Sequence, residues 1–400
     1  MPTTSPAAAR VPRSGIRTLM ELALRDPEAL HLEIGEPDLR TPGHVVDAAA
    51  AAARAGTTGY TSSIGTDALR AVLAAEVARS LGRPTTPEEV VVTHGAMNGL
   101  ALAFSALLAP GEELLLPDPE FPNWRMAAVA AGLRVGTYPA RAEAGFVPRP
   151  ADVEAAITPA TRAILVNSPN NPTGAVYPAE VVAELVAIAR RHDLWVLSDE
   201  CYDAITFGVP HVSPLVHDTD GRVVLFRTLS KTYAMTGWRL GYAVVPHAGA
   251  HDLIGHLAEA TVACPSSVSQ AAAVAAVTGP QGSVAEAVAT YRSRRDAAVA
   301  LLAARGVPCV RPDGAFYLMV DVGTRDTDGF ARRLLADRHV AVAPGSTFGG
   351  AADGFVRVSL AAAPEVLLTG LDRLADQLDE ERGALVPACA APVPQAAPAA

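Results

Sequence analysis

Six unbroken apolar runs set the limits on what this chain can fold into. They are residues 90–92 (Val-Val-Val), 114–116 (Leu-Leu-Leu), 163–166 (Ala-Ile-Leu-Val), 195–197 (Trp-Val-Leu), 223–226 (Val-Val-Leu-Phe) and 242–245 (Tyr-Ala-Val-Val). A strand that is apolar at every position buries both of its faces. Helical stretches lie between most of the runs, one of them expected from about residue 96 to 108. The pattern predicts an α/β fold with a mostly parallel sheet covered by helices on both sides. Polar motifs follow nearly every run. In an open α/β sheet, ligands sit outside the carboxyl ends of the strands. Motifs far apart in the chain are therefore expected to meet at one edge.

Composition narrows the function. At 400 residues, two domains are the natural expectation. Lys and Arg number 32 against 42 Asp and Glu, a formal charge of −10 with no basic stripe, which argues against nucleic acid and anionic membranes as partners. Cys201, Cys264, Cys309 and Cys389 form no CxxC pair. Neither a disulfide framework nor a metal site is expected, and a reducing cytoplasm fits. Residues 1–13 lack the apolar core of a signal peptide, and the alanine-rich stretch 45–55 is too short to span a bilayer. Residues 1–13 and the Ala/Pro-rich residues 384–400 are expected to be mobile tails.

The chemistry is concentrated in residues 227–241, Arg-Thr-Leu-Ser-Lys-Thr-Tyr-Ala-Met-Thr-Gly-Trp-Arg-Leu-Gly. Lys231 follows an apolar run, the hydroxyls of Thr228 and Ser230 flank it, and Arg239 comes one short loop later. An amine in a dry pocket beside donors for a dianion suits Schiff-base formation with a phosphorylated aldehyde. The segment resembles the lysine signature of the class I/II aminotransferases, fold-type I enzymes of the aspartate aminotransferase superfamily that bind pyridoxal 5'-phosphate (PLP). It departs at Thr228, where the family usually has Ser or Gly, but the hydroxyl is kept.

The resemblance covers roughly residues 14–383, with further motifs in order at 312–317 and 342–348. Each motif alone has an ordinary explanation: a glycine at a strand–helix turn, a Pro-Asn turn, an arginine on a strand. Their succession carries the likeness. It implies that the backbone of Gly95, Ala96 and Met97 forms a phosphate cup at a helix N-terminus. Phe121 would stack on the cofactor ring, while Trp124 is expected to be core. Asn171, in Asn-Pro-Thr-Gly, and Tyr202 would bond the ring's 3'-oxygen, and the peptide bond from Asn171 to Pro172 is implied to be cis. Asp199 ends an apolar run, where an unpaired carboxylate is costly. It would pair with the ring nitrogen, and Glu200 alternates to the other side.

Thr228, Ser230 and Arg239 complete the implied cofactor site, and Tyr60 would reach the phosphate of a neighbouring subunit, which implies a homodimer with shared active sites. Gly35 would lie beside the substrate, and Arg357 would grip its α-carboxylate. The implied organisation is a large cofactor domain, residues 46–285, and a smaller α+β domain that joins residues 14–45 to 286–383.

The implied reaction moves an amino group between an L-amino acid and a 2-oxo acid, with Lys231 as Schiff-base amine and proton carrier and with Asp199 and Tyr202 in support. Some aspartate-specific relatives carry a lysine where this chain has Met97, so a neutral or aromatic donor is favoured. A PLP-dependent lyase, cyclase or oxidase on the same scaffold remains an alternative, since Lys231 and Asp199 serve those reactions equally. A PLP-binding regulator would need a basic DNA-binding domain, which fits poorly with a charge of −10. A nucleotide enzyme fits worse: no GxGxxG follows a strand, and Ser230-Lys-Thr lacks the upstream P-loop glycines.

Overall fold

The computed structural model describes residues 3–385. A two-residue strand, Leu30–His31 (β1), precedes the strands of the main sheet. These are Val90–Thr93 (β2), Glu113–Asp118 (β3), Arg134–Pro139 (β4), Thr161–Asn167 (β5), Trp195–Asp199 (β6), Val223–Thr228 (β7) and Gly241–Val244 (β8). Their spatial order is β2-β8-β7-β6-β5-β3-β4. Strand β8 runs antiparallel to both neighbours, and the other pairings are parallel. Strand β4 has no counterpart among the apolar runs. It lies at the sheet edge and is partly exposed, so its residues (Arg-Val-Gly-Thr-Tyr-Pro) need not be continuously apolar.

Alternate residues of one strand feed opposite layers. Val223 and Leu225 pack into one apolar cluster, Val224 and Phe226 into another, and both clusters are buried beneath helices. This is the arrangement that continuous apolar strands require. The helix after β2 spans Ala96–Leu107.

A second, antiparallel sheet has the order β12-β13-β10-β9, from Cys309–Val310 (β9), Tyr317–Asp321 (β10), Ala343–Pro344 (β12) and Phe355–Ser359 (β13). Strand β1 pairs in parallel with Val340–Ala341 (β11), through Leu30 with Val340 and His31 with Ala341. Leu19, Ala23 and Leu32 share an apolar cluster with Val340, Leu367 and Leu371. The N-terminal segment is thereby tied to the smaller layer. The expected junction at residues 285 and 286 falls inside one uninterrupted helix, Gly282–Ala304. Its alanine-rich sequence holds no breaker to mark a boundary. A short helix, Pro6–Ala9, stands within the stretch expected to be a mobile tail. The last helix, Pro364–Leu385, runs past residue 383, and residues 386–400 of the expected C-terminal tail lie outside the described residues. Among the described residues, no helix is long and apolar enough to cross a membrane.

Candidate active site

The register of the main sheet levels its carboxyl ends: Asn167 stands opposite Asp199, and Asp199 opposite Phe226. A cavity of about 290 Å³ opens there. Gly35, Gly95, Ala96, Met97, Phe121, Asn171, Asp199, Tyr202, Thr228, Ser230, Lys231, Arg239 and Arg357 all line it. Of the residues singled out from the sequence, Tyr60 alone lies elsewhere. It is 93% exposed, in a shallow recess with Cys264 and Ser266.

One end of the cavity is built for an anion. Gly95 caps the helix Ala96–Leu107 with φ +82°, and a Cβ there would stand 2.8 Å from Arg239 Nη2. Only glycine allows both the turn and the guanidinium. Arg239 is fixed by Nη1 donating to the carbonyl of Thr236 at 2.8 Å. The Thr228 and Ser230 hydroxyls touch at 2.9 Å. First-turn N–H groups of a helix have no intrahelical acceptor, so this corner gathers donors and positive charge.

The middle of the cavity holds Asp199. Trp124 donates its Nε1–H to Oδ2 at 3.0 Å, and the Cys201 N–H donates to Oδ1 at 3.2 Å. Burial pushes the Asp199 pKa up, while the bonds from Cys201 and Trp124 oppose that rise. Among the described residues no basic side chain pairs with it. A buried carboxylate without a cation is costly, and a protonated ring nitrogen would complete it. Glu200 turns away, into a buried network with Ser198, Ser213, His211 and Arg227. Burial works to raise its pKa, but His211 and Arg227 overrule it and the net shift is downward.

Trp124, expected as core, is only 1% exposed, yet its polar edge serves the site. It follows Phe121 by three residues and meets that ring edge-on, at 5.8 Å and 82°. Replacing Trp124 by Phe removes a bond that holds the Asp199 pKa down. The pKa then rises further, and since the ionised form is the useful one, the acid limb of the kcat/KM–pH profile should move to higher pH. A profile superimposable on that of the parent enzyme would contradict the assignment.

Lys231, on the short helix Leu229–Thr232 after β7, donates from Nζ to the Gly35 carbonyl at 2.7 Å. Gly35 must lack a side chain, because a Cβ would stand 1.8 Å from the Tyr317 hydroxyl. That hydroxyl lies 2.9 Å from the Tyr202 hydroxyl. Arg357, in the centre of β13, is clamped between the Tyr317 ring (4.2 Å) and the Phe348 ring (5.0 Å). Its Nη1 donates to Asn171 Oδ1 at 2.8 Å, and its Nη2 to the Glu33 carbonyl. Its Nε has no partner among the described residues, an unmet donor in a buried place.

The bond to Arg357 turns the Asn171 amide so that its N–H₂ is left to donate. Asn167 holds this loop to the sheet, accepting from Asn171 N and donating to the Asp199 carbonyl, each at 2.8 Å. The peptide bond between Asn171 and Pro172 is cis. Tyr317 and Asn167 were not singled out from the sequence. Tyr317 closes the recognisable 312–317 motif, but its contact with Tyr202 spans 115 residues.

An anion cup, an uncompensated buried carboxylate, an amine and a clamped arginine in one cavity suit an enzyme that binds a phosphorylated pyridine aldehyde and an amino acid together. Residues 27–374 match the family described as aminotransferase class I and II, and the chain belongs to that family. It is a PLP-dependent aminotransferase. The aspartate/prephenate aminotransferase of Thermus thermophilus is 40% identical over 369 residues, covering 89% of this chain and 92% of that one. The arginine–pyruvate transaminase of Pseudomonas aeruginosa is 38% identical over 357 residues, covering 87% and 89%. A solved Thermus thermophilus aspartate aminotransferase with maleate superposes with a TM-score of 0.90 at 36% identity, covering 94% of this chain and all of that one.

Proposed function

We propose that Lys231 is the amine that holds the cofactor and carries the proton, that Asp199 fixes the ring's charge, and that Arg357 holds the substrate α-carboxylate. The observation that carries this reading is the placing of an amine, a buried carboxylate with no cationic partner and a guanidinium with an unmet Nε–H donor around one cavity. Bound PLP supplies an aldehyde for the amino group and a ring that draws electrons from Cα. The chain does the rest. Gly95, Ser230 and Arg239 hold the phosphate end, and Phe121 limits the ring's tilt. Asn171 and Tyr202 offer N–H and O–H donors to the ring oxygen. Arg357, immobile between two aromatic faces, fixes the carboxylate so that the Cα–H faces Lys231. Lys231, facing that Cα–H, would take the proton as general base and give it back as general acid.

The donor is a neutral or aromatic amino acid. Ile16, Ile34 and Met97 add apolar side chains to the cavity lining, and position 97 carries methionine in place of lysine. Relatives named for aspartate and for arginine indicate that side-chain preference is set locally and not by the family. Tyr60, with almost its whole side chain in solvent, supports a homodimer in which it reaches the partner's phosphate end. Three free thiols, Cys201, Cys264 and Cys309, are in keeping with a cytoplasmic setting.

The test is the absorption spectrum of the purified holoenzyme with a panel of amino acids. A visible band bleached by one neutral or aromatic donor, and restored by a 2-oxo acid, is the expected result. A band that aspartate bleaches far more efficiently than phenylalanine, leucine or alanine would overturn the donor assignment.

A further inference from the structure

One fully buried acid has no part in the chemistry described so far. Glu33 follows β1, stands two residues before Gly35 and is 0% exposed. Its main chain belongs to the site, because its carbonyl accepts from Arg357 Nη2. Its side chain does not line the cavity. Oε1 lies 2.9 Å from His31 Nδ1, and Oε2 has no hydrogen-bond partner among the described residues. The His31 side chain is half-buried, so the pair leads from the surface into a dry interior. A carboxyl group placed there is costly unless a positive charge answers it.

That charge is Arg357, itself buried. Among the described residues no carboxylate stands within ion-pair distance of it. Burial works to lower the Arg357 pKa, and Glu33 is the carboxyl group whose charge opposes this. Each of the two keeps one unmet polar atom, Oε2 on the acid and Nε on the arginine. They answer each other's charge without a direct bond, which leaves the arginine open to another anion.

We infer that Glu33 is the resident counter-charge of Arg357 and, acting through it, sets how tightly the site holds a substrate carboxylate. This rests on the reading that Arg357 binds the α-carboxylate. With the site empty, Glu33 balances a guanidinium that would otherwise be buried alone. With a substrate bound, two carboxylates share one guanidinium, and the resident one opposes the newcomer. The result is weaker binding of every carboxylate. In amino transfer each half-reaction admits one carboxylate and releases another, so a grip that loosens readily serves turnover. Glu33 is thus a positioning residue, whose charge reaches the substrate only through Arg357.

The experiment titrates the holoenzyme with butanoate and with butanamide, which has the same shape and no charge, and reads binding by calorimetry. Neither probe carries a basic amine. The parent is compared with Glu33→Gln, Glu33→Met and Glu33→Asp. Gln keeps the shape and can still bond His31; Met removes the charge without adding a buried amide. Both neutral variants should bind butanoate about three- to tenfold more tightly than the parent, the scale of removing one like charge near a buried anion site. Their affinity for butanamide should not change. Glu33→Asp, which keeps the charge, should stay near the parent. With an amino donor, KM should fall in the neutral variants while kcat gains nothing, because tighter holding of the ground state does not speed the chemistry. Butanoate affinity that is unchanged or weaker in the neutral variants, or a gain shared by butanamide, would overturn the inference. A parent that binds the two probes equally would remove Arg357 from the carboxylate and the inference with it, an outcome read in the parent alone.

Discussion

Replacing Lys231 by alanine lowers kcat by about 10³- to 10⁴-fold, the upper range for loss of one general acid–base, and ends covalent capture of the cofactor. The two effects have one origin. The Nζ sits at the carboxyl end of β7, 2.7 Å from the Gly35 carbonyl and facing the cavity. No second lysine or other amine lines the cavity to take over. The arginines that do line it offer guanidinium N–H donors and no amine nitrogen. Alanine suits the short helix Leu229–Thr232, and among the described residues Lys231 forms no ion pair whose loss would leave a buried charge. The variant should therefore fold and keep the anion cup. Borohydride reduction followed by mass measurement gives a second reading: the parent protein should gain the mass of the reduced cofactor and the variant should not. A variant that keeps more than a few per cent of activity, or is still labelled, would remove Lys231 from both roles.

How far the sequence revealed this site follows from what kind of force places each residue. Strands β2, β3, β5, β6, β7 and β8 are legible because each holds a run of three or four apolar residues buried on both faces. Strand β4 is not, because a partly exposed edge strand has no such constraint. Asp199 can be read from its place at the end of an apolar run, where an acid demands a reason. Trp124 cannot. Its burial is plain, but the direction of its N–H depends on how the helix Pro122–Ala130 lies over β6, a tertiary fact with no local signature. The hydroxyl pair of Tyr202 and Tyr317 joins the end of β6 to β10 of the second sheet and is equally silent in sequence. The junction expected at residues 285 and 286 has no local mark: the helix Gly282–Ala304 runs through it without a break.

The second large effect is expected from Asp199→Asn, with kcat reduced about 100- to 1,000-fold, the usual scale for removing one preorganised electrostatic group. The side chain is 4% exposed, so its charge acts where screening is weak. Two unit charges about 4 Å apart interact by roughly 4 kcal/mol at an effective dielectric constant near 20. A neutral amide of the same shape forfeits most of this. It also sets an N–H₂ against one of two donors, the Trp124 indole or the Cys201 amide, because both carboxylate oxygens already accept. Glu200 cannot substitute, being committed to Ser213, His211 and Arg227 on the other side of the strand.

The loss should fall on one step. The residues proposed to hold the phosphate (Gly95, Ser230, Arg239) and the substrate carboxylate (Arg357) are untouched, so the variant should still take up cofactor and substrate. Proton removal from Cα should slow and come to limit turnover. An α-deuterated donor separates this from general damage: the isotope effect on kcat should be larger in Asp199→Asn than in the parent. A lower rate with an unchanged isotope effect would mean that Asp199 only holds the cofactor in place. An unchanged rate would mean that the buried carboxylate has no part in the chemistry.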